Sequence, residues 1–142
     1  MSLRWIHENP PRWDEGKARV IGGAAAGSIR LATYRIGELI PGEWWRVERE
    51  DEIVGYGWMD TTWGDAEVLL AVDPASRQRG VGSFILDRLE HEAAARGLHY
   101  MVNVVPAAHP DRAGFSRWLE QRRFEPAPGD RHRRRVIHPP RR

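Results

Sequence analysis

The middle of the chain carries three segments whose residue patterns predict β-strands. WWRVERE (44–50) and IVGYGWMD (53–60) are rich in Trp, Val, Ile and Tyr, and an acidic pair between them marks a turn, so they predict an antiparallel hairpin. AEVLLAV (66–72) is almost continuously apolar, which is typical of a strand buried on both faces. Three consecutive strands therefore precede the first clear helix.

A four-residue apolar repeat follows and predicts an amphipathic helix. Val81, Ile85, Leu89 and Ala93 share one face over residues 81–96, and Gly97 ends the helix. Further along, the patterns predict a strand at YMVNVV (100–105), a helix at PDRAGFSRWLEQRR (110–123) and a closing hairpin through PAPGD (126–130).

The first 40 residues are less regular. RWIHE (4–8) predicts a strand and PRWDEGKARVIG (11–22) an amphipathic helix, whereas SIRLATYRIGELIPG (28–42) fits either structure. Because the chain has 142 residues, we expect a single domain.

The amino-acid composition limits the kinds of functional site that this chain can contain. The absence of cysteine excludes disulfides, thiolate metal clusters and a cysteine nucleophile, and it favours a reducing cytoplasm as the compartment. The chain opens with no basic-then-apolar leader, and no apolar run approaches the roughly 20 residues that cross a bilayer, so we expect no membrane association. The six histidines lack a ligand-like grouping with carboxylates, so no metal site is expected.

The turn DPASRQRGVGSF (73–84) joins the third strand to the helix and is a candidate anion site. A helix that begins after glycines presents unpaired backbone N–H groups, and its dipole adds about half a positive charge there. Gly80 and Gly82 admit an anion to the backbone, and Arg77 and Arg79 add positive charge. The alternative is a helix that merely begins with glycines.

Two common phosphate-binding loops are excluded by spacing. A P-loop needs Lys followed by Ser or Thr after its last glycine, but Ser83 and Phe84 follow Gly82. A dinucleotide-binding fingerprint needs a third glycine where Ile85 stands, and an acid about twenty residues later, where the chain has Val102.

RQRGVG (77–82) matches the signature Arg/Gln-x-x-Gly-x-Gly/Ala at every fixed position, and in this the chain resembles the GNAT superfamily of N-acetyltransferases. The resemblance covers about residues 44–137. It implies a mixed α/β fold in which helices flank a mostly antiparallel sheet of about six to seven strands, with a splay between the fourth and fifth strands. It divides the single expected domain (1–142) into a variable part (1–43) and a cofactor-binding core with a closing hairpin (44–142).

The resemblance implies acetyl-CoA as co-substrate and requires no metal. The pyrophosphate would lie beside Arg77 on the backbone amides of Gln78, Arg79, Gly80, Val81, Gly82 and Ser83. The pantetheine arm would pair, like an added strand, with Leu70, Ala71 and Val72. A backbone N–H near Leu70 would polarise the thioester carbonyl.

Acetyl transfer needs a neutral amine, and therefore a base or a water relay. Glu67 lies ten residues before Arg77, where some branches of the family carry a catalytic glutamate. A one-residue difference in register would turn it to the other face of the sheet, and Asp65 or Asp60 could act instead through water.

The general acid of the family is missing from this sequence. The family usually carries a tyrosine five residues before the phenylalanine of a Gly-Phe pair, and counting back from Phe124 gives Leu119. The candidate substitutes are Ser116, Tyr100 and His109, each with a structural role as the alternative.

Two further features have competing interpretations. The aromatic residues of the predicted hairpin could wall an acceptor cleft or fill the core; they are Trp44, Trp45, Tyr56, Trp58 and Trp63. The tail RHRRRVIHPPRR (131–142) could bind nucleic acid, but a final strand whose alternate arginines face solvent and pair with neighbouring acids is favoured, given a net charge of only +2.

The resemblance thus predicts an acetyl-CoA-dependent N-acetyltransferase that acts on a primary amine of a small molecule or peptide, as a monomer or homodimer, with no nucleic-acid partner. The alternative is a non-catalytic domain of the same fold that binds acetyl-CoA or associates with nucleic acid.

Overall fold

The computed structural model describes residues 2–23, 34–77, 79–105 and 111–138. These residues form seven strands and three α-helices. The strands are β1 (Arg4–Glu8), β2 (Glu43–Arg49), β3 (Glu52–Thr62), β4 (Asp65–Val72), β5 (Tyr100–Val104), β6 (Glu125–Ala127) and β7 (Arg131–Arg135). The α-helices are α1 (Glu15–Gly23), α2 (Val81–Ala95) and α3 (Arg112–Glu120), and one 3₁₀ turn (Pro74–Ser76) lies between β4 and α2.

All the strands belong to one sheet, in the order β1-β2-β3-β4-β5-β7-β6. Neighbouring strands are antiparallel except β4 and β5, which are parallel. The parallel pairing is confined to two positions, Ala66 with Met101 and Glu67 with Val102. The predicted mixed, mostly antiparallel sheet with a splay between its fourth and fifth strands is therefore confirmed.

The sheet has two faces with different coverings, and alternation along the strands decides which residue lies on which face. The α2 face carries Val47, Met59, Val68 and Met101, which pack in one core cluster with α2 residues such as Ile85 and Leu89. The α1 face carries Trp44, Tyr56 and Ala71, which pack with Val20 of α1 in a second cluster.

Helix α1 begins at Glu15, four residues later than the pattern predicts. Trp13 lies in an extended segment instead. Its backbone N–H donates to the carbonyl of Glu38 at 2.8 Å, and its carbonyl accepts from the backbone N–H of Gly37 at 2.7 Å. The helix starts where Asp14 Oδ1 accepts from the backbone N–H of Lys17 at 2.8 Å, which is a side-chain N-cap.

Lys17, the one lysine in the sequence, is completely buried. Its ammonium donates to Glu8 Oε1 at 2.5 Å, to the carbonyl of Arg12 at 2.8 Å and to Asp14 Oδ2 at 3.0 Å. All three protons of the ammonium are thus satisfied, and the ion pairs tie α1 to β1.

The rings of two buried aromatic residues flank the same ammonium. Lys17 Nζ lies 5.5 Å from the centre of the Trp44 ring and 5.1 Å from that of Tyr56. Burial raises the pKa of the Tyr56 hydroxyl, and the negative charge of nearby Asp14 acts in the same direction. Tyr56 is therefore a neutral, structural residue.

The C-terminal half follows the predicted order with shorter elements. Helix α3 spans residues 112–120 rather than 110–123, and Asp111 caps it by accepting from the N–H of Gly114 at 3.0 Å. The closing hairpin forms between β6 and β7. Within the described ranges, residues 34–42 of the ambiguous segment contain a turn and one bridge, between Arg12 and Leu39, while residues 28–33 lie outside those ranges.

No helix in the described part of the chain is long and apolar enough to span a membrane.

Candidate functional site

The C-terminal half of β4 has an open edge on its β5 side. Pairing with β5 ends at Glu67, so residues 68–72 face a gap there, while on the other side they remain paired with β3. The N–H of Asp73 donates to the carbonyl of Val54 at 2.8 Å, on the β3 side. Because backbone directions alternate along a strand, the N–H groups of Leu70 and Val72 point to the open edge.

The turn after β4 is held by two side-chain anchors. Asp73 accepts from the N–H of Ala75 at 3.1 Å and forms an ion pair with Arg19, which also donates to the carbonyl of Ile53 at 2.9 Å. The hydroxyl of Ser76 is buried and accepts from Arg49 at 3.2 Å. Helix α1 and strand β2 thus both fix the turn that leads to α2.

Asp73 is ionised over a wide pH range. Burial by itself disfavours its charge, but the hydrogen bonds from Ala75 and Arg19 outweigh this and lower the pKa of the carboxyl below its ordinary value. The carboxylate therefore keeps its two anchoring contacts at neutral pH.

Helix α2 begins at a glycine in the left-handed conformation. Gly80 is the N-cap residue with φ +80°, and no side chain caps this end of the helix. The first α-helical hydrogen bond runs from the N–H of Phe84 to the carbonyl of Gly80 at 3.0 Å. The N–H groups of Val81, Gly82 and Ser83 therefore have no acceptor within the helix.

Gly82 makes room for a tryptophan of α3. A Cβ at Gly82 would lie 3.0 Å from Trp118 Cζ2 and 3.9 Å from Leu70 Cδ1. By contrast, a Cβ at Gly80 would meet no atom within 4 Å. Glycine is thus favoured for a different reason at each position: at residue 80 by the left-handed backbone conformation, and at residue 82 by the close approach of Trp118.

Arg122, just beyond α3, reaches the N-terminus of α2. Its Nε and Nη2 both donate to Ser83 Oγ, at 3.2 and 3.0 Å, and its guanidinium lies 3.9 Å from the centre of the Trp118 ring. Burial lowers the pKa of this guanidinium, although the charge of Asp87 opposes the shift. Arginine stays protonated in proteins, so Arg122 is a fixed cation at this helix end.

Sequence patterns did not reveal Arg122. It stands in a run of arginines near the end of a helix, and nothing in that run distinguishes it from Arg123. Arg77 and Arg79, which were predicted to supply positive charge, are exposed at the turn, and Gln78 lies outside the described residues.

Glu67 projects from the α1 face of the sheet. Its strand neighbours Ala66 and Val68 are buried in the core of the α2 face, so alternation places Glu67 on the other side. Asp60 lies directly opposite it on β3, on the same face. No hydrogen bond or ion pair engages the half-buried Glu67 carboxylate within the described residues. It is therefore available to an external group.

Of the aromatic residues on or beside the β2–β3 hairpin, some are buried in the core and others lie at the surface. Trp44 and Trp45 are buried, and the half-buried Trp58 donates from Nε1 to the carbonyl of Pro41 at 3.2 Å. Trp63, at the tip of the β3–β4 turn, is 98% exposed. Trp63 is thus the residue of this set that could stack on a partner.

A cavity of about 350 Å³ opens near the β1 edge of the sheet. Its lining residues are Ile6, His7, Glu8, Asn9, Pro10, Arg12, Asp14 and Arg46. It lies beside β1, three strands away from the open edge of β4. The cavity is therefore separate from the turn and helix end described above.

The model of the Acetyltransferase (GNAT) family matches residues 11–118 of this chain, which is most of its length. The chain belongs to the GNAT acetyltransferase family. A search of curated proteins by sequence found no significant match.

Solved GNAT structures have the same fold. The ribosomal-protein-S18-alanine N-acetyltransferase from Escherichia coli superposes with a TM-score of 0.67 at 13% identity, over 96% of this chain and 97% of that one. N-acetylglutamate synthase from Neisseria gonorrhoeae, complexed with coenzyme A and L-arginine, gives 0.66 at 17% identity, over 94% of this chain and 33% of that one. An N-acetyltransferase from Staphylococcus aureus gives 0.64 at 14% identity, over 96% and 100%.

The position of the usual GNAT tyrosine is part of the core in this protein. Leu119 is completely buried in the cluster of the α2 face. Of the candidate substitutes, Ser116 is half-buried on α3, and Tyr100 accepts from Arg135 at 3.3 Å on the α1 face. His109 lies outside the described residues.

Proposed function

We propose that this GNAT protein is an N-acetyltransferase that uses acetyl-CoA to acetylate a primary amine of a small molecule or peptide, by direct attack in a ternary complex. The observation that carries the proposal is the junction of β4 and α2. There an uncapped helix N-terminus and a fixed arginine lie beyond one end of the open strand edge. Glu67, whose carboxylate has no partner among the described residues, lies on the same strand where that open edge begins.

The N-terminus of α2 fits a diphosphate. The N–H groups of Val81, Gly82 and Ser83 have no helical acceptor, and Arg122 brings a guanidinium that no carboxylate pairs within the described residues. A half-buried cation and unsatisfied N–H groups are both stabilised by an anion. Arg77, Gln78 and Arg79 would lie along the same phosphates.

The open edge of β4 fits the amide-containing arm of coenzyme A. On the β5 side, Leu70 and Val72 present backbone groups that no strand pairs within the described residues, and an extended chain can add to such an edge. The N–H of Leu70, which points to this edge, would donate to the thioester oxygen as it gains negative charge. Coenzyme A bound to the N. gonorrhoeae neighbour supports the same ligand here.

Bound acetyl-CoA supplies an activated acetyl group. When the amine nitrogen bonds to the acetyl carbon, the carbon–sulfur bond breaks, and the nitrogen must lose a proton. Glu67 would take this proton directly or through a water, and the lack of a partner for its carboxylate within the described residues supports this role. Asp60, opposite Glu67, would favour a cationic amine nearby.

Departure of the thiol does not require the missing tyrosine. A thiol has a pKa near 8.5, so it leaves partly as the thiolate near neutral pH. The burial of Leu119 nevertheless favours a second candidate function, a domain that binds acetyl-CoA without turnover.

The deciding experiment follows thiol release from acetyl-CoA with a panel of amino acids, peptides, polyamines and aminoglycosides. Acetyl-CoA binding is measured in parallel by thermal shift, where ligand at 100 times its Kd adds about 2.7 kcal/mol to the free energy of unfolding. Turnover of one or more amines supports the enzyme. Binding without turnover supports the second candidate, and a shift no larger than that with NAD or ATP rejects the cofactor site.

A further inference from the structure

The α1 face beyond β4 carries a row of arginines. Arg131, Arg133 and Arg135 alternate along β7 and are exposed, whereas the intervening Arg134 lies on the α2 face and pairs with Glu90 at 3.0 Å. Helix α1 packs against β3 and β4. Helix α3 contacts β6 and β7, but its buried residue Leu119 belongs to the core of the α2 face, so the described helices leave this part of the α1 face uncovered.

Tyr100 positions two of these arginines. The guanidinium of Arg133 lies 4.6 Å from the centre of the Tyr100 ring, and that of Arg135 lies 5.5 Å from it. Arg135 Nη2 also donates to the Tyr100 hydroxyl at 3.3 Å. Glu125 lies opposite Arg133 on the neighbouring strand β6, yet within the described residues no ion pair joins them, so the predicted pairing of the alternate arginines with acids of a neighbouring strand is not seen in the described part of the tail.

Arg133 shares a cross-sheet row with Glu67. Glu67 pairs in register with Val102, and Val102 pairs with Arg133, so all three side chains project from the α1 face. With one strand between them, the two Cα atoms are separated by about 10 Å, twice the strand spacing. Glu67, whose carboxylate can bind an amine, and Arg133, whose guanidinium can bind an anion, thus lie on the same face of the sheet with only Val102 between them.

We propose that the acceptor carries a carboxylate a few bonds from its reactive amine, and that Arg133 binds this carboxylate. This inference rests on the proposed acetyl transfer, because it uses Glu67 to mark the position of the amine. The planar guanidinium can form two parallel hydrogen bonds with a carboxylate, and stacking on Tyr100 reduces the freedom that Arg133 would otherwise lose. Amino acids and short acidic peptides have this chemistry.

The test compares each amino acid or short acidic peptide with its neutral amide as the acceptor. For the best acceptor we expect kcat/KM to be about tenfold higher for the carboxylate than for the amide, as a charge-assisted hydrogen bond would give. In Arg133→Gln this preference should disappear, through a higher KM for the carboxylate, while kinetics with the amide stay within twofold of the parent protein.

Two control variants lose the same charge elsewhere. Arg131→Gln changes β7 on the same face, opposite Val104, and Arg117→Gln changes an exposed residue of α3. Both should keep the carboxylate preference. Equal kcat/KM for carboxylates and amides in the parent protein, or an equal loss in all three variants, would overturn the inference while leaving the acetyltransferase intact. No turnover of any amine would instead refute the proposed function, and the inference with it.

Discussion

Trp118 lies so close to Gly82 that a methyl group there would require the indole to move by a few tenths of an ångström, since a Cβ at residue 82 would be 3.0 Å from Cζ2 and 3.4 Å from Cη2 of the ring. A contact with the ring edge at 3.0 Å is much shorter than van der Waals separation. Packing between α2 and α3 therefore favours glycine at residue 82, in addition to any role in admitting phosphate.

Overpacking costs about 1–3 kcal/mol, and the better helix propensity of alanine offsets about 0.5–1 kcal/mol of that cost, so we expect Gly82→Ala to lower the free energy of unfolding by at most about 2 kcal/mol, as measured by urea denaturation. In a Trp118→Ala background the same substitution should cost much less. Gly80→Ala is the matched control, because its cost comes from φ +80° in open space and should be the same in both backgrounds. Equal costs of Gly82→Ala in the two backgrounds would contradict the packing role.

Arg122→Gln should weaken acetyl-CoA binding. The change removes a fixed cation beside Ser83 at the N-terminus of α2, so we expect the KM for acetyl-CoA to rise about tenfold, with little change in kcat. Arg117→Gln, on the solvent side of α3, removes the same charge and should leave this KM within twofold. Indistinguishable effects of the two variants would remove Arg122 from the cofactor site.

Glu67→Gln should slow turnover without weakening acetyl-CoA binding. The amide keeps the shape of the side chain but is not a base, so we expect kcat to fall about 10²-fold near neutral pH and to recover partly at higher pH, where more amine is neutral. Asp60→Asn, at the paired position of β3, tests the alternative acceptor on this face and should slow turnover less than Glu67→Gln. Unchanged turnover of Glu67→Gln from pH 6 to pH 10 would leave Asp65, Asp60 or a water chain as the proton acceptor.

The ion pair between Arg19 and Asp73 should stabilise the protein in a pH-dependent way. The pKa of Asp73 is lower in the folded state than its ordinary value, so this stabilisation is complete above about pH 4 and is lost as the pH falls through the folded-state pKa. We expect Arg19→Met to cost up to about 1 kcal/mol at pH 7 and less at pH 3, by urea denaturation at both pH values.

Asp73→Asn provides the control for that measurement. The asparagine does not titrate, so Arg19→Met in this background should have the same effect at both pH values. A difference between the two pH values that persists in the Asp73→Asn background would mean that another group causes it.

Local pattern was sufficient to predict the elements around the cofactor turn. β2, β3, β4 and α2 have strong periodicity and clear turn residues, and their observed bounds differ from the predicted ones by only one or two residues. The start of α1 was wrong because residues 11–13 pair with the distant segment 37–40. A helical pattern in one segment does not reveal such a long-range partner.

The candidate site was only partly predictable for a similar reason. The turn 77–82 is a continuous motif, and its sequence therefore indicates its chemistry. Arg122 and Arg133 lie in arginine-rich runs, and only the packing of α3 on α2 and the register of β7 with β5 distinguish them from their neighbours. The roles that we propose for these residues depend on tertiary contacts that residue types alone do not specify.

The burial of Lys17 has a consequence for chemical modification. The sequence contains one lysine, and its amine is fully enclosed between β1 and α1, with each proton hydrogen-bonded. Amine-directed reagents, acetyl donors included, can reach this lysine only when α1 separates from the sheet. The rate at which Lys17 becomes labelled should thus report directly how often that part of the fold opens, and the folded protein offers no exposed lysine for acetylation by another copy of itself.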